Sequence, residues 1–147
     1  MPERPADGLF LGFDFGLRRT GVAVGEALTG SARPLQTLSC RDGQPDWDQV
    51  AALISEWRPL GLVVGVPTHA DGTLPAAGEA AQRFARRLHG RYRLPVHTID
   101  EHLSSREAER ALGERGLHGQ RLRKQKGKID SLAASIILES WFMEARQ

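Results

Sequence analysis

Apolar positions along this chain follow two rhythms, one of period two and one near 3.6, and the switches between them mark out the elements. Residues 9–15 (Leu-Phe-Leu-Gly-Phe-Asp-Phe) form an apolar run that ends in Gly16, the pattern of a strand entering a turn. Residues 22–25 resume an apolar strand, and the short link between the two predicts an antiparallel hairpin. Residues 33–40 alternate weakly and predict a third strand, ended by Asp42-Gly43. From Asp46 the period becomes helical. Trp47, Val50, Leu53, Ile54 and Trp57 share a face, Asp46 and Gln49 have capping-box spacing, and Pro59 stops the run. Residues 60–65 predict a buried strand, and residues 68–75 a loop containing Asp71-Gly72. A second helix follows, with Ala77, Ala80, Ala81, Phe84 and Leu88 inward and Arg83, Arg86 and Arg87 outward. Residues 95–99 predict a strand that delivers Asp100-Glu101 at its carboxyl end. Ser104 and Glu107 open a third helix to about residue 112, residues 113–127 read as a basic loop dotted with glycine, and residues 128–145 as a last helix. In that helix Ile129, Leu132, Ala133, Ile136, Ile137 and Trp141 are the apolar positions.

Hairpin strands followed by strands alternating with helices predict an α/β fold, a mixed five-stranded sheet with helices on both faces. Ligands of such sheets gather at the carboxyl ends of strands. Asp14 and Asp100-Glu101 both fall there.

A chain of 147 residues predicts one domain, here residues 9–145 behind a flexible tail of residues 1–8. No apolar run approaches the roughly 20 residues of a spanning helix, and the N-terminus has no signal-peptide core, so no membrane partner and a cytoplasmic location are expected. The single cysteine, Cys40, excludes an intramolecular disulfide and a Cys-based zinc site. A monomer is the default. Charge changes the picture more. The net charge is only +2, yet residues 83–128 hold 13 Lys and Arg against 5 Asp and Glu, which leaves the rest of the chain acidic. Such asymmetry is compatible with a phosphate-rich partner, and equally with a solvated helix surface.

Three carboxylates carry the candidate chemistry. Asp14 interrupts an apolar strand, where an unpartnered carboxylate costs several kcal/mol. Turn chemistry before Gly16 would explain it, and so would a metal ion. Asp130, near the start of the last helix, could simply complement the helix macrodipole, worth up to about 1 kcal/mol. Two strand ends and one helix start can nevertheless bring Asp14, Glu101 and Asp130 to one point. Three carboxylates about 5 Å apart repel by roughly 3 kcal/mol per pair at an effective dielectric near 20, so they need protons or cations. Oxygen-only donors suit Mg²⁺ or Mn²⁺, and hard divalent ions at carboxylates commonly serve phosphoryl chemistry. His102, beside Glu101, is the histidine placed nearest that point. Other chemistries fit poorly. Leu122 and Ile129 stand where a P-loop around Gly127-Lys128 requires Gly and Ser or Thr, and no Gly-x-Ser-x-Gly elbow occurs.

The motifs Phe13-Asp14-Phe15-Gly16, Gly21-Val22-Ala23-Val24-Gly25, Val64-Gly65-Val66-Pro67 with Asp71-Gly72, Asp100-Glu101-His102-Leu103-Ser104-Ser105 and Lys126-Gly127-Lys128-Ile129-Asp130-Ser131 together resemble the YqgF family. These are pre-16S ribosomal RNA nucleases, also described as Holliday-junction-resolvase-like. The resemblance implies a ribonuclease-H-like fold and a metal-dependent phosphodiesterase that trims the 5′ end of pre-16S RNA during small-subunit maturation. It implies catalytic, metal-holding acids at Asp14, Glu101 and Asp130, with Asp100 as an auxiliary; His102, by its position beside Glu101, is a second auxiliary candidate. Arg18, Arg19, Arg123, Lys124, Lys126 and Lys128 are the expected phosphate contacts, and Mg²⁺ or Mn²⁺ the expected cofactor. Precursor ribosomal RNA, and with it the assembling small ribosomal subunit, is the expected partner. A resolvase cutting branched DNA and an RNA-binding assembly factor with weak catalysis remain alternatives. An actin-like ATPase would share the Asp-x-Gly turn, but no second lobe is evident. The chain departs from the family pattern at His102, where Arg is usual, and at Thr68-His69-Ala70. A guanidinium can clamp a phosphate through two hydrogen bonds and a neutral imidazole cannot.

Overall fold

The computed structural model describes residues 8–100 and 126–145. Its elements run β1 (Leu9–Asp14), β2 (Arg19–Glu26), β3 (Ser31–Arg41), β4 (Gln44–Pro45), α1 (Trp47–Trp57), β5 (Gly61–Val66), α2 (Ala76–Tyr92), β6 (Val96–Asp100) and α3 (Lys126–Ala145). The helix expected at residues 104–112 lies outside the described residues.

The strands form one mixed sheet in the order β4-β3-β2-β1-β5-β6. β1 pairs antiparallel with β2 and β2 with β3, as a hairpin and its continuation, while β1–β5 and β5–β6 are parallel pairs whose second partner is reached through a helix. The architecture is the mixed α/β sheet read from the sequence, with six strands among the described residues rather than five. The extra one, β4, is a two-residue strand folded back on the end of β3 through the left-handed Asp42-Gly43 turn. It is too short to show any period.

β1 alternates between two cores. Leu11 and Phe13 enter a core shared with Val22, Val24, Leu62 and Val64 from the sheet, Val50 and Leu53 from α1, and Ala81, Phe84 and Leu88 from α2. Phe84 is fully buried, edge-on to Phe13 at 5.6 Å and stacked with Phe15 and Trp47. Burying such side chains stabilises the fold by roughly 1.5–3 kcal/mol each. Phe10, on the other face, joins Val63, Ile99, Ile137, Leu138 and Phe142 under α3.

Two helix readings need correction. Asp46 does cap α1, but its carboxylate accepts from the Asp48 N–H at 2.9 Å and the box partner Gln49 is exposed. In α2, Ala77 is exposed, while Gly78 and Ala85 are buried with Ala81, Phe84 and Leu88. Gly78 lies over the Pro67 carbonyl, where a Cβ would collide. Among the described residues no helix is long and apolar enough to cross a membrane.

α3 differs from the other helices in how it meets the sheet. Its buried positions include Ser131, Ala133, Ala134 and Ser135, and beneath them the sheet presents glycine. A Cβ on Gly12 would stand 3.0 Å from Leu138 Cβ and 3.1 Å from the Ala134 carbonyl oxygen, and one on Gly25 would be 2.8 Å from Leu138 and Phe142. On Gly21 it would overlap the Asp130 carbonyl. The helix backbone therefore rests almost on the strands. Ser131 and Ser135 satisfy their hydroxyls on carbonyls three residues back, at Lys128 and Leu132, so this tight contact buries no orphaned polar group.

Candidate functional site

The close approach of α3 at Gly21 builds the site. Strand alternation puts Asp14 on the same face as Phe10 and Gly12, at the carboxyl end of β1, and its register partner on β2 is Gly21. The two α-carbons of such a pair are about 5 Å apart. Asp130 lies directly over that glycine. Two residues earlier on β2, Arg19 faces the same way, and its Nε donates to Asp130 Oδ2 at 2.7 Å. Asp14, Arg19 and Asp130 thus meet at one end of the sheet, although Arg19 and Asp130 are 111 positions apart in the chain.

Asp14 and Asp130 are both partly buried; the Asp130 side chain is 21% exposed and that of Arg19 41%. The guanidinium offsets part of the charge of Asp130. That bond uses one of the five N–H donors of the guanidinium.

The turn that carries Arg19 into place is tied from below. Fully buried Thr20 meets the Gly16 N–H and carbonyl at 3.4 and 3.5 Å, and its hydroxyl lies 3.2 Å from Cys40 Sγ. Burial, which disfavours the thiolate, pushes the Cys40 thiol above its usual pKa, only partly offset by the hydrogen bond with Thr20. Arg18 is exposed at the tip of the turn, while its carbonyl accepts from the Cys40 N–H at 2.8 Å. Lys128 is exposed on the first turn of α3. Within the described residues that helix runs from Lys126, so Lys126 is helical rather than part of the loop expected over residues 113–127.

The structure places the remaining expected residues less closely. Asp100 ends β6 level with Val66, exposed, and on the opposite face from Ile99 and hence from Asp14. Glu101, His102, Arg123 and Lys124 lie outside the described residues. Among the described residues no three His, Cys, Asp or Glu side chains are grouped so as to hold a metal ion. Asp14 and Asp130 offer carboxylate oxygens only, and oxygen donors are the kind that suit a hard divalent cation. The Arg19–Asp130 pair was not legible in the sequence. Its one signal is the even spacing of Arg19 and Gly21, which puts both on the face under α3.

In the loop after β5, Asp71 Oδ1 accepts from the Thr73 N–H and hydroxyl at 3.0 and 2.6 Å, which holds its carboxyl below the usual range. Gly72 beside it takes a φ of +88°, so the Asp-Gly pair is built for a turn.

A family model described as RuvX, Holliday junction resolvase, matches residues 8–144. A protein of Azotobacter vinelandii named "Putative pre-16S rRNA nuclease" is 52% identical over 92% of this chain and 94% of its own length. One of the same name from Legionella pneumophila is 48% identical over 94% and 97%. Among solved structures, the fowlpox virus resolvase with Holliday junction DNA has a TM-score of 0.53 at 10% identity, covering 94% of this chain and 98% of that one. T. thermophilus RuvC with its Holliday junction substrate has a TM-score of 0.50 at 18% identity, covering 95% and 96%. These likenesses agree with a ribonuclease-H-like fold.

Proposed function

This chain belongs to the RuvX family, the YqgF family that its motifs resemble, and we propose that it is a divalent-metal-dependent nuclease processing the 5′ end of pre-16S ribosomal RNA. The observation that supports this reading most is the delivery of Asp14 and Asp130 to one sheet end by the glycine contact at Gly21. Asp14, Asp130 and Glu101 hold Mg²⁺ or Mn²⁺ in this reading. A cation there makes bound water a better nucleophile and stabilises charge on the leaving oxygen. The chain's own groups do the positioning. Arg19 fixes the orientation of the Asp130 carboxylate through Nε. Arg18 and Lys128, both exposed, contact substrate phosphates in this reading, with Arg123, Lys124 and Lys126 as further contacts. His102 and Asp100 are auxiliaries. The enzyme works in the cytoplasm on the assembling small subunit.

The test is Mn²⁺-dependent cleavage of a pre-16S 5′-leader RNA by wild type beside Asp14→Asn, both shown to be folded by circular dichroism. Cleavage by wild type alone supports the reading; equal cleavage by both removes Asp14 from the site. Silence from both, with RNA binding intact, favours an assembly factor over an enzyme. The description of the matching family model favours a second reading, cleavage of branched DNA. A four-way DNA junction assayed in parallel separates the two, because a ribonuclease can read the 2′-hydroxyl.

A further inference from the structure

The side of the molecule opposite the acidic site carries its own charge pattern. On α2, Arg83 and Arg86 are exposed on the outer face with Arg87 half-buried beside them, Gly90 and Arg91 follow one turn further along, and Ala81, Phe84, Ala85 and Leu88 turn inward. Arg91 is engaged, its guanidinium 4.0 Å over the Trp47 ring. Among the described residues no carboxylate lies within ion-pair distance of Arg83, Arg86 or Arg87. Glu79 is the one acid in the helix. Arg83, Arg87 and Arg91 follow one another at i,i+4 spacing, an arrangement that works against a helix rather than for it. A solvated surface normally mixes the two signs. The helix macrodipole explains Arg91 near the C-terminus, but not Arg83 in the middle.

Arg86 also stands on the rim of a groove of about 790 Å³ between α2 and β6, bordered by Gln82, His89 and Thr98 and floored by Ala85 and Val96. That is within the roughly 300–1,000 Å³ range of ligand-binding clefts. In the described sheet β6 is the last strand on this side.

We propose that the outer face of α2 and the α2–β6 groove form a second nucleic-acid surface. It takes a single strand, with backbone phosphates on Arg83, Arg86 and Arg87 and a base in the groove. Charge complementarity selects a polyanion, and the groove selects one whose bases are unpaired. Topology agrees. The acidic site lies on the α3 face and this stripe on the other, so a straight duplex reaching one is turned away from the other. A flexible single strand can pass around the β6 edge and touch both. The identity of the strand as RNA rests on the function proposed above; the phosphate chemistry does not.

The test measures binding by Asp14→Asn protein, so that RNA is not consumed. The Kd for a long single-stranded RNA and for a duplex RNA is followed from about 50 to 200 mM salt. Adding Arg83→Gln, Arg86→Gln and Arg87→Gln should make the log–log salt slope for the single strand shallower by about 2, at roughly 0.7 per phosphate contact, and change the duplex slope little. A second variant guards against misfolding. Gly90 has open space around it, so Gly90→Glu adds a negative charge to the stripe while favouring the helix. It should melt no lower than its parent and still bind the single strand more weakly. An unchanged single-strand slope, or full binding by Gly90→Glu, overturns the proposal; an equal change with duplex overturns the single-strand assignment. Cleavage is read separately on wild type, so a protein that binds this way and never cuts would remove the nuclease reading and leave this surface standing.

Discussion

The two faces of the sheet are packed by different means. Under α1 and α2 the contact is made by bulk: Phe13, Phe84, Leu11, Leu62 and Leu88 interlock as side chains. Beneath α3 it is made by subtraction, with Gly12, Gly21 and Gly25 letting a helix backbone rest on strands. A side-chain core can relax around a change, because rotamers and neighbours share the strain. A backbone contact has nothing to rotate. The acids sit on the face with less slack, so the geometry of the site depends on atoms that cannot move away.

Substitutions on each face should therefore separate stability from activity. The largest loss of stability should come from Phe84→Ala, about 3–5 kcal/mol for a fully buried aromatic. The protein that remains folded should cleave as well as wild type, checked by urea unfolding beside activity in the cold. Gly21→Ala should cost less, about 3 kcal/mol, because one methyl meets the Asp130 carbonyl. It should nevertheless abolish most cleavage while folded, by lifting Asp130 from Asp14. Full activity in folded Gly21→Ala would break the contrast. Gly12→Ala, meeting Leu138 and the Ala134 carbonyl at 3.0–3.1 Å, should be milder, about 1–2 kcal/mol with partial activity. Arg19→Gln should change stability by under about 1 kcal/mol, since the pair is partly exposed, yet weaken Mn²⁺ binding or substrate binding in titration.

The smallest effect concerns pH. His97 stacks on Trp141 at 4.6 Å, and its partial burial holds the imidazole below its ordinary pKa near 6.5. The unfolded chain then takes up the proton first. The stability contributed by neutral His97 is present above about 6.5 and is lost as pH falls through the lowered value. The urea midpoint of wild type should fall slightly more than that of His97→Phe between about pH 7.5 and 5.5.

Legibility in the sequence followed the same division. Leu11, Phe13, Val50, Leu53, Phe84 and Leu88 announce themselves by period, and the hairpin, both parallel strands, α1 and α2 could be read from them. β3 read weakly because it is mostly exposed, with Leu38 its one buried hydrophobic residue. Small residues made the α3 face hard to read. Ser131, Ala134 and Ser135 do not look like a core, and a glycine in a strand looks like a weakness until a helix is laid on it. Asp14 stood out as a carboxylate in an apolar run. Asp130 was weaker alone, because an acid near a helix start has an ordinary explanation; its grouping with Asp14 and Glu101 and the family motif singled it out. The contact over Gly21 shows how α3 reaches the end of β1.

The link between Arg19 and Asp130 spans most of the chain, and this has a consequence for timing. The hairpin that presents Asp14 and Arg19 leaves the ribosome early, whereas Asp130 follows 111 residues after Arg19, on the last helix. At roughly 5–20 residues per second that delay lasts many seconds. Throughout it the chain holds half a constellation, with the glycine lane still waiting for its cover. A protein truncated before α3, or still being synthesised, cannot form this acidic pair at all. The pair is complete only once α3 has been made and has docked on the glycine lane.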